Sequence, residues 1–364
     1  MAPCTNCKIE PKEPLKSCVC GKVSYCSKEC QVKDWKAHKP SCPPFVIRES
    51  PGKGRGLFAT RKIKEGQIII DEYPLLINSS RMHPIEFMPE LYPYIDEKIK
   101  AEILQFHDPA EDIKILDPDT VKKLVSKDPD VRFYIESSDD MLSKITRIIA
   151  GNAIQICGEE DLYNTNEIGL YHKISLINHA CVANANCSWV MGDFKRKQVR
   201  AIMTLEKDQE ILVSYRNNDE FHYGSREFRQ KELLEIFTFK CGCSECSLEG
   251  WDLEDNDGMR EEIREMKGEI SRLLSGVGSD SRKDLKKAMK LKQKQTDLVV
   301  KLNIRAGILA AMISFYRAAT EAKRTGVPCM NDPDIYKQEA LKYAKIFGDS
   351  YLYIVSGVSL TPKI

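Results

Sequence analysis

The segment Glu210-Ile211-Leu212-Val213-Ser214-Tyr215 is an apolar strand that begins with an acid and ends with a tyrosine. Taken alone, such a tyrosine is usually a core or interface residue. Two earlier segments accompany it: the glycine-rich turn Lys53–Gly56, and Asn178-His179-Ala180-Cys181, which follows an apolar stretch. A glycine turn by itself indicates only a hairpin. The three segments in this order are far more specific than any one of them.

Cysteine spacing indicates metal binding. Of fourteen cysteines, seven lie before residue 43, and three more follow the strand as a C-x-C-x2-C pattern. The N-terminus has neither the basic nor the apolar part of a secretion signal, so we expect a reducing compartment without a disulfide framework. Unpaired redox thiols are the alternative, which the short paired spacings disfavour. Eight ligands at the N-terminus suit two tetrahedral zinc ions: Cys4, Cys7, Cys18, Cys20, Cys26, Cys30, His38 and Cys42.

Composition limits the function classes. The chain has 364 residues, 55 basic against 54 acidic, for a net charge of +1, which does not suggest a strongly basic nucleic-acid binder. Hydrophobic content of 42% and charged content of 30% are typical of a folded globular protein of two or three domains. The longest apolar stretch, near Ala306–Tyr316, is about half of the roughly 20 residues needed to cross a bilayer.

Periodicity predicts an α+β chain. A helical insert occupies residues 83–150; it includes a four-residue apolar period from Pro89 through Phe106, and a helix marked by Met141, Ile145, Ile148 and Ile149. Predicted strands are 45–47, 56–59, 67–70, 174–177, 187–190, 198–202 and 210–215. Predicted C-terminal helices are 259–274, 282–303, 304–323 and 333–347, the last opening at Asn331-Asp332-Pro333 as an N-cap and N1 proline.

The string Tyr25-Cys26-Ser27-Lys28-Glu29-Cys30-Gln31-Val32-Lys33-Asp34-Trp35-Lys36-Ala37-His38-Lys39 resembles a MYND zinc finger, and the resemblance covers residues 1–42. It implies interleaved zinc sites, with Cys4, Cys7, Cys26 and Cys30 on one ion and Cys18, Cys20, His38 and Cys42 on the other. In the family this finger binds proline-rich partner peptides and sometimes nucleic acid. The lysines of the string are equally consistent with a plain solvated face.

The GxG turn, the N-H-x-C segment, the E-x4-Y strand and the C-x-C-x2-C pattern together resemble the SET domain of protein lysine methyltransferases. With the finger, the match is to the SET-and-MYND-domain (SMYD) family, and the finger preceding the GxG turn is similar to the arthropod-type order. The resemblance implies these parts: MYND finger 1–43, SET core 44–82 and 151–236 around the helical insert 83–150, post-SET zinc segment 237–250, and a helical, tetratricopeptide-like domain 251–364.

The resemblance also assigns a cofactor site for S-adenosylmethionine. The backbone of Lys53, Gly54, Arg55 and Gly56 and the side chains of Asn152 and Asn178 would hold its amino-acid end, while the His179 backbone would meet the adenine. Cys181 would join Cys241, Cys243 and Cys246 on a third zinc, which would hold Phe239 against the adenine. Three further cysteines would be ordinary thiols: Cys157, Cys187 and Cys329.

Tyr215 would be the catalytic-site tyrosine, with Val213 and Phe237 lining the lysine channel and Phe237 facing Tyr215 across it. Three departures are present: alanine where the family usually has serine (Ala180) or proline (Ala183), and Phe237 where a second tyrosine is common. These changes remove no metal ligand, but they leave turnover open.

The function implied is S-adenosylmethionine-dependent lysine N-methylation of histone or non-histone proteins, in transcriptional regulation, with three zinc ions. The expected partners are a protein substrate and a proline-rich peptide or corepressor at the finger, with no membrane and no nucleic acid as main partner. The expected location is cytoplasm and nucleus. The alternative is a non-catalytic scaffold whose finger recruits corepressors, and binding of S-adenosylmethionine separates the two.

Overall fold

The computed structural model describes residues 3–10, 13–18, 20–78, 82–114, 116–156, 167–182, 185–191, 195–216, 218–274, 281–324 and 333–347. Over these residues, helices and strands are mixed: a helical insert separates two strand-containing parts, and long helices follow residue 250. None of the helices described is both long and apolar enough to cross a membrane. Cys157, Ala183, Cys329 and the expected cap at Asn331-Asp332 lie outside the described residues.

The N-terminal finger is built on its cysteines. A two-stranded antiparallel pair precedes one helix: β1 (Lys16–Ser17), β2 (Ser24–Tyr25) and α1 (Lys28–His38). Ser27 caps α1 by accepting from the backbone N–H of Cys30, and a 3-10 turn, Lys39–Ser41, follows the helix. The buried residues described in the finger are Cys4, Cys18, Tyr25, His38 and Cys42, so metal ligands provide most of its core.

The first half of the SET core consists of strands: β3 (Phe45–Ser50), β4 (Gly54–Ala59), β5 (Ile68–Glu72) and β6 (Leu76–Asn78). The first three confirm predicted strands, whereas the sequence does not predict β6. β3 and β4 form an antiparallel hairpin whose turn includes Gly54 at φ +70°. That left-handed backbone explains a glycine at the first position of the GxG turn.

A helical insert follows: α2 (Pro84–Leu91), α3 (Glu97–Ile103), α4 (Ala110–Ile113), α5 (Pro118–Lys127), α6 (Pro129–Glu136) and α7 (Met141–Asn152). The predicted helix marked by Met141 is confirmed as α7. The apolar period from Pro89 through Phe106 is not one helix, because a 3-10 turn containing Pro93 separates α2 from α3. Asp96 then starts α3 by accepting from the N–H of Lys98.

The second half of the SET core contains β7 (Ile154–Gln155), β8 (Ile168–Leu170), β9 (Asn178–His179), β10 (Cys187–Met191), β11 (Lys197–Ala201) and β12 (Leu212–Val213). β10 and β11 confirm two predicted strands, and β11 pairs antiparallel with β5. Cys187 is a buried core thiol whose pKa is raised by burial.

The predicted strand 174–177 is wrong, since Ile174–Leu176 is a 3-10 turn. The buried Glu72 carboxylate accepts the backbone N–H groups of Lys173 at 3.1 Å and Ile174 at 3.2 Å, which stabilises a helical turn. The predicted strand 210–215 shortens to β12 for a similar reason. The Asn186 amide donates to the carbonyl of Glu210 and accepts from the N–H of Leu212, taking the place of a neighbouring strand.

The C-terminal part follows two helices of the SET core, α8 (Asp219–His222) and α9 (Arg226–Phe237), and consists of α10 (Gly250–Leu274), α11 (Ser281–Lys301), α12 (Arg305–Arg324) and α13 (Pro333–Phe347). These confirm the four predicted helices, although α10 begins at Gly250, earlier than expected. Successive helices pack on one another, and α13 also contacts β11 of the SET core.

A buried ion pair holds the insert together next to the SET core. Arg147 of α7 is 2% exposed, and its Nη2 and Nε donate to the Asp108 carboxylate at 2.9 and 3.2 Å. Arg147 also donates to Ser137 and to the carbonyl of Ser138. The loop that contains Asp108 is therefore fixed to α7.

We expect Arg147→Met to lower the free energy of unfolding by about 3 kcal/mol, because it leaves a carboxylate without its buried partner. The matched control is Asp139→Ala, since Asp139 also contacts Arg147 but its side chain is 98% exposed. That change should have an effect of less than about 1 kcal/mol. Urea denaturation measures both; equal losses in the two variants would contradict the assignment.

The same pair predicts a pH dependence. Burial alone would raise the pKa of Asp108, but the hydrogen bonds from Arg147 outweigh it and the pKa lies below its ordinary value. A depressed carboxyl pKa means that the pair stabilises the fold fully above about pH 4 and less as the pH falls through the folded-state pKa. The stability difference between wild type and Arg147→Met should therefore shrink below about pH 4.

Candidate active site

Twelve ligand residues form three clusters, and within each cluster the ligand atoms lie within 4.8 Å of one another. The pairing is the interleaved one that the resemblance implies. The clusters are Cys4, Cys7, Cys26 and Cys30; Cys18, Cys20, His38 and Cys42; and Cys181, Cys241, Cys243 and Cys246, called the post-SET cluster from here on.

The spacing of the ligand atoms fits tetrahedral zinc, for which Zn–S bonds of about 2.3 Å give S···S edges of about 3.8 Å. Sulfur pairs in the three clusters are 3.7 Å apart (Cys7–Cys26), 3.7 Å (Cys18–Cys42) and 3.4 Å (Cys181–Cys246). His38 turns Nε2 towards Cys20 at 3.3 Å. Its Nδ1 lies 3.3 Å from the Ser41 hydroxyl, so a second contact fixes the ring.

Fixed backbone donors favour the ionised form of one finger ligand, Cys4. Burial opposes ionisation of Cys4, but the backbone N–H groups of Cys26, Cys7 and Asn6 outweigh it and lower the pKa of Cys4 to about 6. A thiolate at neutral pH is the form that binds zinc. The chain thus prepares the ligand with fixed backbone donors.

The post-SET cluster joins β9 to the segment after α9. Cys181 follows β9 directly, and the Gln230 side chain of α9 brackets Cys241, donating to its carbonyl at 2.6 Å and accepting its N–H at 3.0 Å. The other thiols of the cluster, Cys181 first, lower the pKa of Cys241 and hold that of Cys243 at about 7. Phe239, two residues before Cys241, is held in place by this anchor.

The GxG turn packs against β9 at Gly56. A Cβ at Gly56 would lie 2.6 Å from Glu210 Oε1 and 2.7 Å from Asn178 Nδ2, so only glycine fits. Asn178 Nδ2 donates to Glu210 Oε1 at 2.8 Å and to the carbonyl of Arg55 at 3.2 Å. Lys53 Nζ pairs with the other oxygen of Glu210 at 3.2 Å.

Glu210 is therefore a site residue that the sequence reasoning did not single out. It fixes the orientation of the Asn178 amide and holds the lysine of the GxG turn. An acid at the start of an otherwise apolar strand was the available signal, but its partners come from segments far away in the chain.

Asn152 stands at the end of α7, where its Nδ2 donates to the carbonyls of His107 and Ile148, each at 2.8 Å. The Ser175 hydroxyl donates to the Asn152 carbonyl at 3.0 Å, which ties Asn152 to the 3-10 turn just before Asn178. Arg55 reaches the same region, with its guanidinium donating to the carbonyl of Gln105. The expected cofactor residues therefore border one region between the insert and the SET core.

An aromatic group surrounds His179. Its ring centroid lies 5.2 Å from that of Tyr215, 5.7 Å from Phe239 and 6.0 Å from Phe221. The Tyr215 backbone N–H donates to His179 Nδ1 at 3.0 Å, and the Tyr215 hydroxyl donates to the carbonyl of Ile177 at 2.8 Å. Both ends of Tyr215 are thus held by the segment that contains Asn178.

Phe237 lies directly beside Tyr215. The two rings are in edge contact, with centroids 5.3 Å apart, so they form one aromatic wall together with Phe239. Val213 is fully buried in the core cluster that includes Leu57. Its contact with a substrate stays a prediction, as do the roles of the other site residues.

The family model of the MYND finger matches residues 4–42, and that of the SET domain matches residues 54–216. The finger thus precedes the SET domain, and the post-SET cluster follows. The chain belongs to the SMYD family. Its fold is accordingly α+β, with a MYND double-zinc finger, a SET core with a helical insert, a post-SET zinc segment and a helical C-terminal region.

Similar proteins named as histone-lysine N-methyltransferases are found in plants, fungi and mammals. Histone-lysine N-methyltransferase ASHR1 of Arabidopsis thaliana is 28% identical over 252 residues, which are 66% of this chain and 46% of that protein. Human histone-lysine N-methyltransferase SMYD3 is 23% identical over 280 residues, or 74% and 57% of the two chains. Histone-lysine N-methyltransferase set5 of Schizosaccharomyces pombe is 30% identical over 205 residues, or 56% and 51%.

The chain spans about half the length of the curated relatives that it matches. A solved SET domain of LSMT, bound to lysine and AdoHcy, aligns over 90% of both chains at 12% identity and a TM-score of 0.33.

The contact at Gly56 yields a prediction. Gly56→Ala should lower the free energy of unfolding by about 1–3 kcal/mol, because the added carbon must displace Glu210 or Asn178. The matched control is Gly258→Ala in α10, where a Cβ meets nothing within 4 Å. There alanine should stabilise the helix by about 0.5–1 kcal/mol. Thermal unfolding of both variants checks this, and an unaffected Gly56→Ala would rule out the close approach.

Proposed function

We propose that this protein is an S-adenosylmethionine-dependent lysine N-methyltransferase of histone or non-histone proteins, acting in transcriptional regulation. The observation that carries the proposal is the arrangement of Tyr215. Its backbone is held by His179, its hydroxyl by the Ile177 carbonyl, and its ring by Phe237 and Phe239. A fixed hydroxyl within an aromatic wall suits a reaction in which the lysine amine must be aligned with the methyl group and water must be excluded.

The cofactor residues fit an amino-acid group. Since Asn178 Nδ2 is already bonded to Glu210 and the Arg55 carbonyl, the amide presents Oδ1 as its acceptor. That atom would accept from the amino group of S-adenosylmethionine, with the Glu210 carboxylate nearby to balance its positive charge. Two cationic side chains, Lys53 and Arg55, would face the carboxylate of S-adenosylmethionine. Lys53 is held in place by its ion pair with Glu210.

When bound, S-adenosylmethionine would supply a methyl group on a positively charged sulfur. The lysine nitrogen would attack the methyl carbon in line as the carbon–sulfur bond breaks, with the sulfur as leaving group. A free lysine has a pKa near 10.4, so the site must favour the neutral amine. The aromatic wall disfavours a charged amine by excluding water, and no strong base is required. Holding the amine in line with the methyl carbon and the sulfur can lower the activation free energy by roughly 7–11 kcal/mol. The oxygen of Tyr215 and nearby carbonyls can hold the methyl group by weak C–H···O contacts.

The finer partner assignments are part of this proposal. The MYND finger would bind a proline-rich peptide or corepressor. Val32 on α1 is 66% exposed, and Trp35, three residues along the same helix, is overlaid by the Arg61 guanidinium at 5.3 Å. An aromatic ring beside an exposed apolar residue is the kind of surface that proline-rich segments bind. We place the protein in the cytoplasm and nucleus, where a reducing environment keeps cysteines available as zinc ligands.

Tyr215→Phe should keep the affinity for S-adenosylmethionine within a few-fold but lower turnover by about 10²-fold or more, the scale of losing one well-placed polar group. Phe237→Tyr is the comparison variant; it adds a hydroxyl to the same wall and should keep or raise activity. Calorimetry and a radiolabelled-methyl assay measure both effects. Unchanged turnover in Tyr215→Phe contradicts the catalytic role, and wild type that binds no S-adenosylmethionine with all zinc in place establishes the scaffold alternative.

Val32→Glu should weaken binding of a fluorescent proline-rich peptide at least about tenfold, because it places a charge on the apolar part of the finger surface. Ile135→Glu is the control, since Ile135 is an exposed apolar residue of α6, outside the finger. Fluorescence polarisation reports both. Equal affinity in the two variants, or binding of an oligonucleotide instead of the peptide, would exclude this surface as the peptide site.

A further inference from the structure

The C-terminal helix α10 packs against the segments that carry both halves of the post-SET cluster. On the side of β9, Val182 directly follows the ligand Cys181 and is 5% exposed. It belongs to an apolar cluster whose buried members on α10 are Ile263, Met266 and Ile270. The segment that provides the first ligand therefore rests on a helix that begins only after the last one.

A buried ion pair joins α10 to the other half of the cluster. Arg260 of α10 is fully buried, and its Nη2 donates to both carboxylate oxygens of Glu245, at 2.7 and 2.8 Å. Glu245 directly precedes the ligand Cys246, and its side chain is 9% exposed. A guanidinium bound to both oxygens of a carboxylate fixes the direction of the contact as well as its length. The pair therefore sets the position of the post-SET segment on α10.

The other two nitrogens of Arg260 also have acceptors. Nη1 donates to the carbonyl of His222 at the end of α8, and Nε donates to Oδ1 of Asn256, one turn earlier on α10, at 2.9 Å. One side chain thus connects three parts of the chain: α10, the end of α8 and the post-SET segment. Since every nitrogen is bonded, the guanidinium is held in a single orientation.

The start of α9 is held by α10 as well. Asp257 of α10 accepts the backbone N–H of Arg226, the first residue of α9, at 2.9 Å. The chain from Arg226 to Glu245 carries Phe237 and Phe239, the two phenylalanines of the aromatic wall. Both ends of this stretch are therefore attached to the same C-terminal helix.

We propose that Arg260 is a positioning residue for the reaction at Tyr215. By fixing the post-SET segment on α10, it determines where Phe237 and Phe239 stand beside the tyrosine. An apolar contact such as that of Val182 brings the two parts together but does not fix a direction, which the bidentate pair does. The C-terminal helices thereby become part of the active site. The effect on turnover rests on the proposed methyltransferase function, whereas the link between α10 and the aromatic wall does not.

The test replaces both partners in one variant, Arg260→Met with Glu245→Leu. Removing a single partner would leave a buried charge, but exchanging a whole buried pair for apolar residues of similar volume often leaves stability unchanged. A pair that only stabilises the fold would then give a variant that behaves as wild type throughout. We expect the melting temperature to be kept while the aromatic wall loosens.

Two backbone amides report on the wall directly. The N–H groups of Thr238 and Cys241 flank Phe239 and donate to the Leu234 carbonyl at 3.2 Å and to the Gln230 side chain at 3.0 Å. Hydrogen exchange of both should be at least about tenfold faster in the double variant, because the segment opens locally more often. Mass spectrometry of peptic fragments measures this without any cofactor or substrate.

Two further measurements follow the consequences. Turnover of a lysine peptide should fall about tenfold or more, because a displaced wall spoils the alignment of the reacting groups. The third zinc should pass to a chelator about tenfold faster, the lower end of the usual effect of losing an outer contact at a metal site. The two zinc ions of the finger should stay as in wild type and serve as the internal reference.

The control is Glu262→Gln with Lys294→Gln, which removes an ion pair between α10 and α11. It should leave the two reporter amides, the third zinc and turnover unchanged. Wild-type exchange at the reporter amides of the Arg260/Glu245 variant, or an equal acceleration in the control, would overturn the proposal.

Should the double variant not yield folded protein, Glu245→Gln decides. It keeps the size of the side chain and one of its two oxygens, so exchange at Thr238 and Cys241 should be about threefold faster, the effect of losing one hydrogen bond. Wild-type exchange there also overturns the proposal. A wild-type protein without methyl transfer contradicts the proposed function, and the exchange rates then decide on the link alone.

Discussion

Sulfur atoms from two distant parts of the chain meet at the post-SET cluster, and the candidate active site is assembled around that meeting. Cys181 extends the segment that contains Asn178 and His179, while Cys241, Cys243 and Cys246 hold the chain that carries Phe237 and Phe239. The aromatic wall around Tyr215 exists because these two parts are joined. The strands near this site, β9 and β12, are only two residues long and contribute few backbone hydrogen bonds. Metal coordination therefore supplies most of the attachment between the two parts.

The cofactor region depends on a different kind of constraint, namely close backbone approach. Gly56 lets Asn178 and Glu210 come within hydrogen-bond distance of each other beneath the GxG turn. The helical insert contributes through the loop fixed by Arg147 and Asp108, which supplies the carbonyls bound by Asn152 and Arg55. Metal, glycine and a buried ion pair thus each fix one side of the same region.

The sequence predicted those features whose chemistry is local. Ligand spacing such as that of Cys4 and Cys7 indicates a metal site without knowledge of the fold, and the long helices α11, α12 and α13 follow from apolar periodicity and lie within two residues of their predicted bounds. Two of the errors arise where a distant side chain overrides local preference. The Glu72 carboxylate accepts the N–H of the β-branched Ile174 and so stabilises a helical turn there. The Asn186 amide binds the N–H of Leu212 and so shortens the strand before Tyr215. Glu210 has a role that only tertiary contacts reveal.

The chain separation between ligands differs between the finger and the post-SET cluster. The sulfur contacts in the finger join residues at most 24 positions apart, whereas Cys181 and Cys246 are 65 positions apart. Closing the longer loop costs more entropy, and it also requires β9 and α9 to be in place before the fourth ligand arrives. Metal loading therefore follows an order during biosynthesis. We expect the finger to be able to bind its ions once residue 42 has been made, whereas the third ion must wait until Cys246 has been made and brought to Cys181.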